Sequence, residues 1–493
     1  MPDRPFPPPC RPGSAPSGVS GPWPCRRGGL TWPGLAWAAL GACLVVLAAG
    51  CTPTKGSASN VFVPEVTTNT DFEQTFIPVG VRPTSAAIAP RSACPGANNL
   101  APNVAVANLF DNTLTYLTND GTGNFSAMTL ATGIAPTQVQ FADLDRSGNC
   151  TADLVVMQTS NTGPGYGISV LLTTDNNQWA LSTYGLPATP DQMAVIDMNG
   201  DGYPDIVATV SPTSEIALLL NNGASPGPPG TFAQPMLFGL ANPPTRFVVA
   251  DNQGVPLDFD GDACPDLAVL VPALNQVQVL TTNNGTPCAP YAGGSFAVAP
   301  YSVDPFPFDI AAADLDGNGK PELITTSLSG PVMGVLGNSG TIPAVFYAFP
   351  GTPLPQRRAP QHMALARFGG GSIPQIAISH PDDATISVNS LLRDGTFLSQ
   401  MYTLRDIPFD VVAGDFGGNR VPGIVVPELR RRMVYFGYWV YVDGVGGFTF
   451  TQIGFENAPG TPVMGRLRPG TAQDIVIPQQ TNNKVVILRN KNP

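Results

Sequence analysis

A nine-residue acidic loop returns along this chain at intervals that fit one small β-unit, each time between runs of aliphatic and β-branched residues. Three copies are tight: Asp197-Met-Asn199-Gly-Asp201-Gly-Tyr203-Pro-Asp205, Asp258-Phe-Asp260-Gly-Asp262-Ala-Cys264-Pro-Asp266 and Asp314-Leu-Asp316-Gly-Asn318-Gly-Lys320-Pro-Glu322. A looser copy, Asp143-Leu-Asp145-Arg-Ser147-Gly-Asn149-Cys-Thr-Ala-Asp153, is two residues longer. Oxygen-bearing side chains stand at positions one, three, five and last, and small residues between them let the chain curl around one point. Ca2+ takes roughly 6–8 oxygens at about 2.3–2.6 Å. The expected ligand sets are therefore Asp143, Asp145, Ser147, Asn149 and Asp153; Asp197, Asn199, Asp201, Tyr203 and Asp205; Asp258, Asp260, Asp262, Cys264 and Asp266; and Asp314, Asp316, Asn318, Lys320 and Glu322. They make three to four calcium sites.

An EF-hand is the obvious rival, but its loop needs a bidentate acid at position twelve, where this chain has Leu154, Ala208, Val269 and Thr325. It also needs flanking helices, and these flanks are β-like. Asp and Gly favour plain turns, but three or four carboxylates packed so closely repel one another without a cation.

The loops also mark a repeat. In the unit around Asp197 a short strand, Gln192–Ile196, precedes the loop, and Asp205–Val210 follows it. Glu215–Leu220 gives a third strand ending in Asn221-Asn-Gly, and Gly230-Thr-Phe232 opens a fourth. Four strands, a to d, with the loop joining a to b, compose one blade of a β-propeller. The order recurs around Asp143, Asp258 and Asp314. It recurs with fewer or no acids around Asn103, Gln375, Asp415 and Asp474. That predicts an all-β, closed propeller of eight four-stranded blades, or seven if one degenerate unit is a false match. The last unit lacks its Gly-x-Phe strand, whereas Phe72–Gly80 with Pro83-Thr84 matches Phe125–Gly133 with Pro136-Thr137. An N-terminal strand is thus expected to complete the last blade, removing an exposed sheet edge.

Composition agrees. Apolar residues make up 43% and charged residues 12%, with 53 glycines and 54 prolines to turn many short strands. The net charge of −11 argues against nucleic acid as a partner, because phosphate binding wants a basic face.

The N-terminus reads as an address. Residues 1–50 hold a Pro- and Gly-rich stretch and an apolar run, Leu35–Ala49, the pattern of a secretory signal. Ala48-Ala49-Gly50-Cys51 resembles the bacterial lipobox, which implies lipidation of Cys51. Residues 51–71 are expected as a flexible linker and 72–490 as the propeller. Once the first 50 residues are removed and Cys51 carries lipid, Cys94, Cys150, Cys264 and Cys288 remain, an even number in an exported chain.

These residues resemble the FG-GAP/VCBS repeat family, the propeller type of integrin α-subunit heads and many bacterial exported proteins. The resemblance implies calcium between strands a and b on one face, in the units that keep the acids. The unit with Gly369-Gly-Gly-Ser is expected to bind none, and the unit keeping only Asp415 and Asn419 to be empty or weak. In that topology Cys94 could pair with Cys150 and Cys264 with Cys288, with connectivity left open.

Only two histidines occur, His362 and His380, with no nucleophile motif, P-loop or dinucleotide fingerprint. No enzyme is expected. The rim opposite the acidic loops would carry Arg357-Arg358 and Arg430-Arg431-Arg432 as a candidate ligand patch. The reading is a calcium-stabilised, lipid-anchored cell-envelope module, on the outer membrane or cell surface, that binds a protein or matrix partner. A glycan-binding lectin is the alternative.

Overall fold

Strand b of each unit is an almost unbroken apolar run, and such a run suits a strand covered on both faces. The computed structural model bears this out: Asp205–Val210, Leu267–Val271 and Glu322–Ser327 are buried along their whole length. It describes residues 60–62, 67–90, 101–147, 152–159, 165–174, 178–223, 227–281, 296–329, 333–339, 341, 345–348, 359–442, 445–470 and 472–491. These lie in the unit Gly56–Pro493.

Eight antiparallel sheets form, which decides between seven and eight blades. Blades 1 to 7 each run a-b-c-d outward in chain order. Strand a opens at Pro83, Pro136, Gln192, Arg246, Pro307, Met363 and Val412 in turn. Blade 8 has Val463–Gly465, Asp474–Gln479 and Lys484–Asn490 as strands a to c, and Phe72–Pro78 as its outer strand. That strand pairs antiparallel with Lys484–Asn490 over seven residues, from Phe72 opposite Asn490 to Pro78 opposite Lys484.

The core is divided rather than central. Each hydrophobic cluster joins two successive blades: Val155, Ile168 and Val170 of blade 2 meet Ile206, Ala208 and Leu219 of blade 3, for example. Another joins Ala86, Val104 and Leu117 of blade 1 to Leu467, Val476 and Ile487 of blade 8. Packing is thus continuous around the ring, with strands b and c buried; strand d is largely exposed in blades 1 to 4, whereas in blade 6 Phe397–Thr403 is mostly buried.

Three details differ from the sequence reading. Within the stretch expected as linker, Asn60–Phe62 lies parallel to the outer strand of blade 6, and Thr67–Thr68 parallel to that of blade 7. The chain therefore runs as a strap along two blades before entering the third. In blade 3, Phe232 makes only an isolated bridge with Asn221, and strand d starts later, at Met236. Pro228, Pro229 and Pro235 explain the delay, since proline cannot donate to the ladder. In blade 4 an inserted turn, Asp251–Val255, precedes the acidic loop, and Asn252 N reaches Ala312 O of blade 5 at 3.0 Å. Among the described residues no helix is long and apolar enough to cross a membrane.

Candidate metal loops and the belt that links them

Every acidic loop is wound by its own side chains. The first acid accepts amides from positions four and six: Asp197 takes Gly200 N and Gly202 N, both at 2.7 Å, and Asp314 takes Gly317 N at 2.8 Å and Gly319 N at 2.9 Å. The third position accepts from the fifth, as in Asp316 from Asn318 N at 3.0 Å. The fifth accepts from the seventh, as in Asp262 from Cys264 N at 2.8 Å and Asp201 from Tyr203 N at 2.7 Å. Gly202 and Gly319 have φ of +89° and +81°, a region open to glycine without strain.

Carboxylates converge in three of these loops. One oxygen from each of Asp143, Asp145 and Asp153 lies within 4.8 Å of the others; so do those of Asp258, Asp260 and Asp262, and of Asp314, Asp316 and Glu322. The loop at Asp197 does not gather three acids in this way, because its third position is Asn199, whose Nδ2 instead donates to Asp201 at 3.2 Å. Asn149 lies outside the described residues, as do Cys51, Cys94, Cys150, Cys288, Arg357 and Arg358.

The last acid behaves differently from the rest. Asp153, Asp205, Asp266 and Glu322 are fully buried at the start of strand b. One oxygen of each accepts the amide of position two in its own loop: Leu144 N at 3.0 Å, Met198 N at 2.9 Å, Phe259 N at 2.5 Å and Leu315 N at 2.7 Å. The other oxygen takes the amide that ends strand c, Thr173 N at 2.8 Å in blade 2 and Asn221 N at 2.7 Å in blade 3. Burial, the largest cause, pushes Asp153 up to about 6 and Asp205 and Glu322 up to about 7. Neighbouring loop acids push the same way. Glu322 is buried beside Asp314 and Asp316. The carboxylates that converge offer only oxygen donors and the buried one is short of positive charge, so these acids fit a hard divalent cation.

Blade 8 places a cationic side chain beside the equivalent carboxylate. Its loop runs Arg466-Leu-Arg468-Pro-Gly-Thr-Ala-Gln-Asp474, with arginines at positions one and three and the last acid kept. Arg468 Nη2 lies 2.9 Å from Asp474 Oδ1, and Nε lies 3.5 Å from Oδ2. Asp474, like its counterparts, also accepts the amide ending strand c, Asn490 N at 2.8 Å. A guanidinium thus replaces the missing charge. This loop lacks the acids of the motif, and its sequence signal is an Arg at positions one and three of the nine-residue frame.

The asparagine that ends strand c carries the contact onward. Asn221 Nδ2 donates to Leu144 O of blade 2 at 2.9 Å, Asn119 Nδ2 to Leu467 O of blade 8 at 2.6 Å, and Asn490 Nδ2 to Phe416 O of blade 7. Each accepting carbonyl belongs to position two of the preceding loop. Loops are thus joined across three blade junctions, 2 to 3, 7 to 8 and 8 to 1, along one rim.

On the other rim, Arg430, Arg431 and Arg432 are exposed in the b–c turn of blade 7. Arg432 Nη1 donates to Glu456 O at 2.6 Å, and Arg431 N donates to Asp406 at 2.6 Å. Tyr435 and Phe436 are buried in the blade, while Tyr441 is exposed and its hydroxyl donates to Gly369 O at 3.0 Å. His380 is buried with Nε2 2.8 Å from Ser387 Oγ. His362 stands on the inner wall, Nδ1 3.9 Å from Asp309.

This is an eight-bladed β-propeller with acidic a–b loops. Residues 258–325, which hold two of those loops, match the family model of the FG-GAP-like repeat. No curated protein matches the chain. Among solved structures it is similar to BBS1N in complex with ARL6DN, at 14% identity over 71% of this chain and 91% of that one, with a TM-score of 0.45. A functionally unknown protein from Desulfotomaculum acetoxidans DSM 771 is similar at 16% identity over 65% and 86%, TM-score 0.41. Hydrazine synthase of Kuenenia stuttgartiensis is similar at 10% identity over 74% and 96%, TM-score 0.42.

Proposed function

We propose that the chain is an exported, lipid-anchored interaction module whose acidic loops in blades 2 to 5 hold Ca2+, and that it binds a protein partner on the rim opposite those loops. The observation that carries the metal reading is the substitution in blade 8: where the loop loses its acids, Arg468 brings a positive charge to the buried last carboxylate. Blades 2 to 5 keep the equivalent carboxylate buried and offer oxygens in place of the guanidinium. Calcium would supply the missing charge and fix the loop; the propeller's own residues supply the rest of the architecture.

Exposed apolar side chains support a protein rather than a glycan partner. Phe306 is 64% and Phe110 61% exposed, both in turns of the opposite rim. Leu274, Leu328 and Leu429 stand exposed in b–c turns of the same rim, the last beside Arg430–Arg432. These side chains are distributed over blades 1, 4, 5 and 7 of one rim, and apolar surface exposed there is available to a protein contact. Anchoring through Cys51 and pairing of Cys264 with Cys288 belong to the same reading. The second is supported by the burial of Cys264, 1% exposed at position seven of its loop.

The test is a thermal melt of the purified protein in EGTA and in calcium, with metal counting. A marked rise with three to four ions per chain supports the reading. Unchanged melting and no bound calcium reduce the loops to turns.

A further inference from the structure

We propose that Arg468 is a built-in cation that makes the seam of the ring independent of metal, so that calcium governs blades 2 to 5 while blades 8 and 1 stay closed without it. The inference rests on the reading that the loops of blades 2 to 5 hold cations. It concerns a blade whose loop cannot.

Blade 8 is where the two ends of the chain meet. Its outer strand, Phe72–Pro78, comes from the N-terminal side and its other three strands from the C-terminal side. A seam that waited on a metal would leave Lys484–Asn490 with an open edge whenever the metal left, and open edges invite pairing with other chains. Arg468 removes that dependence by three contacts. It pairs with Asp474, a carboxylate only 2% exposed, at 2.9 Å. Its Nη2 also donates to Asn490 O, the end of strand c. Its stem lies under blade 1, where a Cβ on Gly123 would stand 2.9 Å from Arg468 Cδ. One side chain therefore touches strand b, strand c and the neighbouring blade. The loop's position-two carbonyl, Leu467 O, is at the same time bound by Asn119 of blade 1.

The ring is thus divided. Blades 2, 3, 4 and 5 carry acidic loops in succession. In blades 6 and 7 the last-acid position holds Gln375, whose Nε2 donates to Ser390 Oγ at 2.6 Å, and Gly423. In blade 1 it holds Asn103, whose Oδ1 accepts Asn119 N at 3.0 Å. No uncompensated buried carboxylate occupies that position in blades 6, 7, 8 and 1. Removing calcium should loosen one contiguous arc and spare the other.

Hydrogen exchange followed by mass spectrometry, on the full-length protein in calcium and in EGTA, tests this. Chelation should speed exchange of Asp153–Thr159, Asp205–Val210, Leu267–Val271 and Glu322–Ser327 on the order of tenfold, and leave Asp474–Gln479 and Lys484–Asn490 unchanged. Faster exchange in Asp474–Gln479 on chelation overturns the proposal. A second arm judges Arg468 even if chelation alters nothing in blades 2 to 5, a result that would sink the cation reading of those loops alone. Arg468→Met should speed exchange in both blade 8 strands equally in calcium and EGTA, with Arg468→Lys giving intermediate protection. Wild-type exchange in Arg468→Met overturns the inference, and so does Arg468→Lys exchanging as fast as the Met variant.

Discussion

Asn119 and Leu467 stand 348 residues apart in sequence, yet the side-chain amide of one donates to the main-chain carbonyl of the other at 2.6 Å. The same bond, in the same frame, joins Asn221 to Leu144 in adjacent blades. The seam of this propeller is therefore made with the device used between blades that follow one another along the chain. The amide of Asn119 also reaches Pro102 O at 3.1 Å, and its oxygen accepts Gly121 N at 3.0 Å.

Asn119→Ala should accordingly leave buried polar groups unpaired on both sides of the seam and cost about 2–3 kcal/mol. Asn222→Ala, which removes a bond to Thr231 within one blade, should cost less than half of that. Urea midpoints of the two variants decide the matter; equal losses would show that the seam bond has no special weight.

Acids within one loop should separate into two kinds. Asp316 is exposed and Glu322 fully buried, although both belong to the same cluster. Asp316→Ala should lose the calcium-induced rise in melting assigned to that blade while its calcium-free stability changes by less than about 0.5 kcal/mol. Glu322→Ala should lower both, because Leu315 N then loses its acceptor. Calorimetry with and without calcium reads the difference.

Calcium-free stability should fall as pH rises. The folded values of Asp205 and Glu322, about 7, lie above their ordinary 3.8 and 4.5, so the folded chain binds more protons than the unfolded chain between those limits. Their contribution is greatest below about pH 4 and is lost as pH passes 7. Calcium competes for the same carboxylates and should flatten the slope. Denaturation curves on either side of pH 6, with and without EGTA, should show it; a metal-free protein that grows more stable towards alkaline pH contradicts the sign.

Glu428 offers a control away from the loops. It is buried at the b–c turn of blade 7, its Oε1 accepting Asp406 N at 3.0 Å, and burial pushes it up to about 7. Glu428→Gln keeps an acceptor and removes the buried charge. It should stabilise the protein by about 1 kcal/mol at pH 8 and by nothing below pH 4, whether or not calcium is present.

Gly123→Ala should weaken the seam. Glycine there has φ +93°, and a methyl group would press on Arg468 Cδ at 2.9 Å. A loss of about 1–3 kcal/mol is expected, with the same change at Gly121, where nothing lies within 4 Å, costing only its backbone strain.

Much of this architecture is legible in the residues, because a repeat shows each rule several times. The acids at positions one, three and five declare the loops, the unbroken apolar runs declare strands b and c, and the likeness of Phe72–Gly80 to Phe125–Gly133 points to a strand d far from its blade. What escaped has physical reasons. Arg468 inverts the charge of the acidic motif, and only the frame set by Leu467 and Asp474 exposes it. Two of the bridging asparagines, Asn221 and Asn119, sit in Asn-Asn-Gly and Asn-Asp-Gly turns, where turn propensity is explanation enough until the neighbouring carbonyl is seen. Strands of two and three residues laid parallel on an edge, such as Thr67–Thr68 and Asn60–Phe62, carry no periodicity at all.

That strap along blades 6 and 7 has a mechanical consequence. A pull on the N-terminal end meets first the short parallel pairings of Asn60–Phe62 and Thr67–Thr68. It then meets Asn69, whose Nδ2 donates to Thr451 Oγ1 at 2.7 Å and Tyr438 OH at 3.0 Å, with Tyr438 OH donating in turn to Asp71 at 2.8 Å. Only behind that knot lies the seven-residue ladder of the last blade. Tension would be spent in steps along the outer wall, like a rope taking up slack over two cleats before it reaches the mooring.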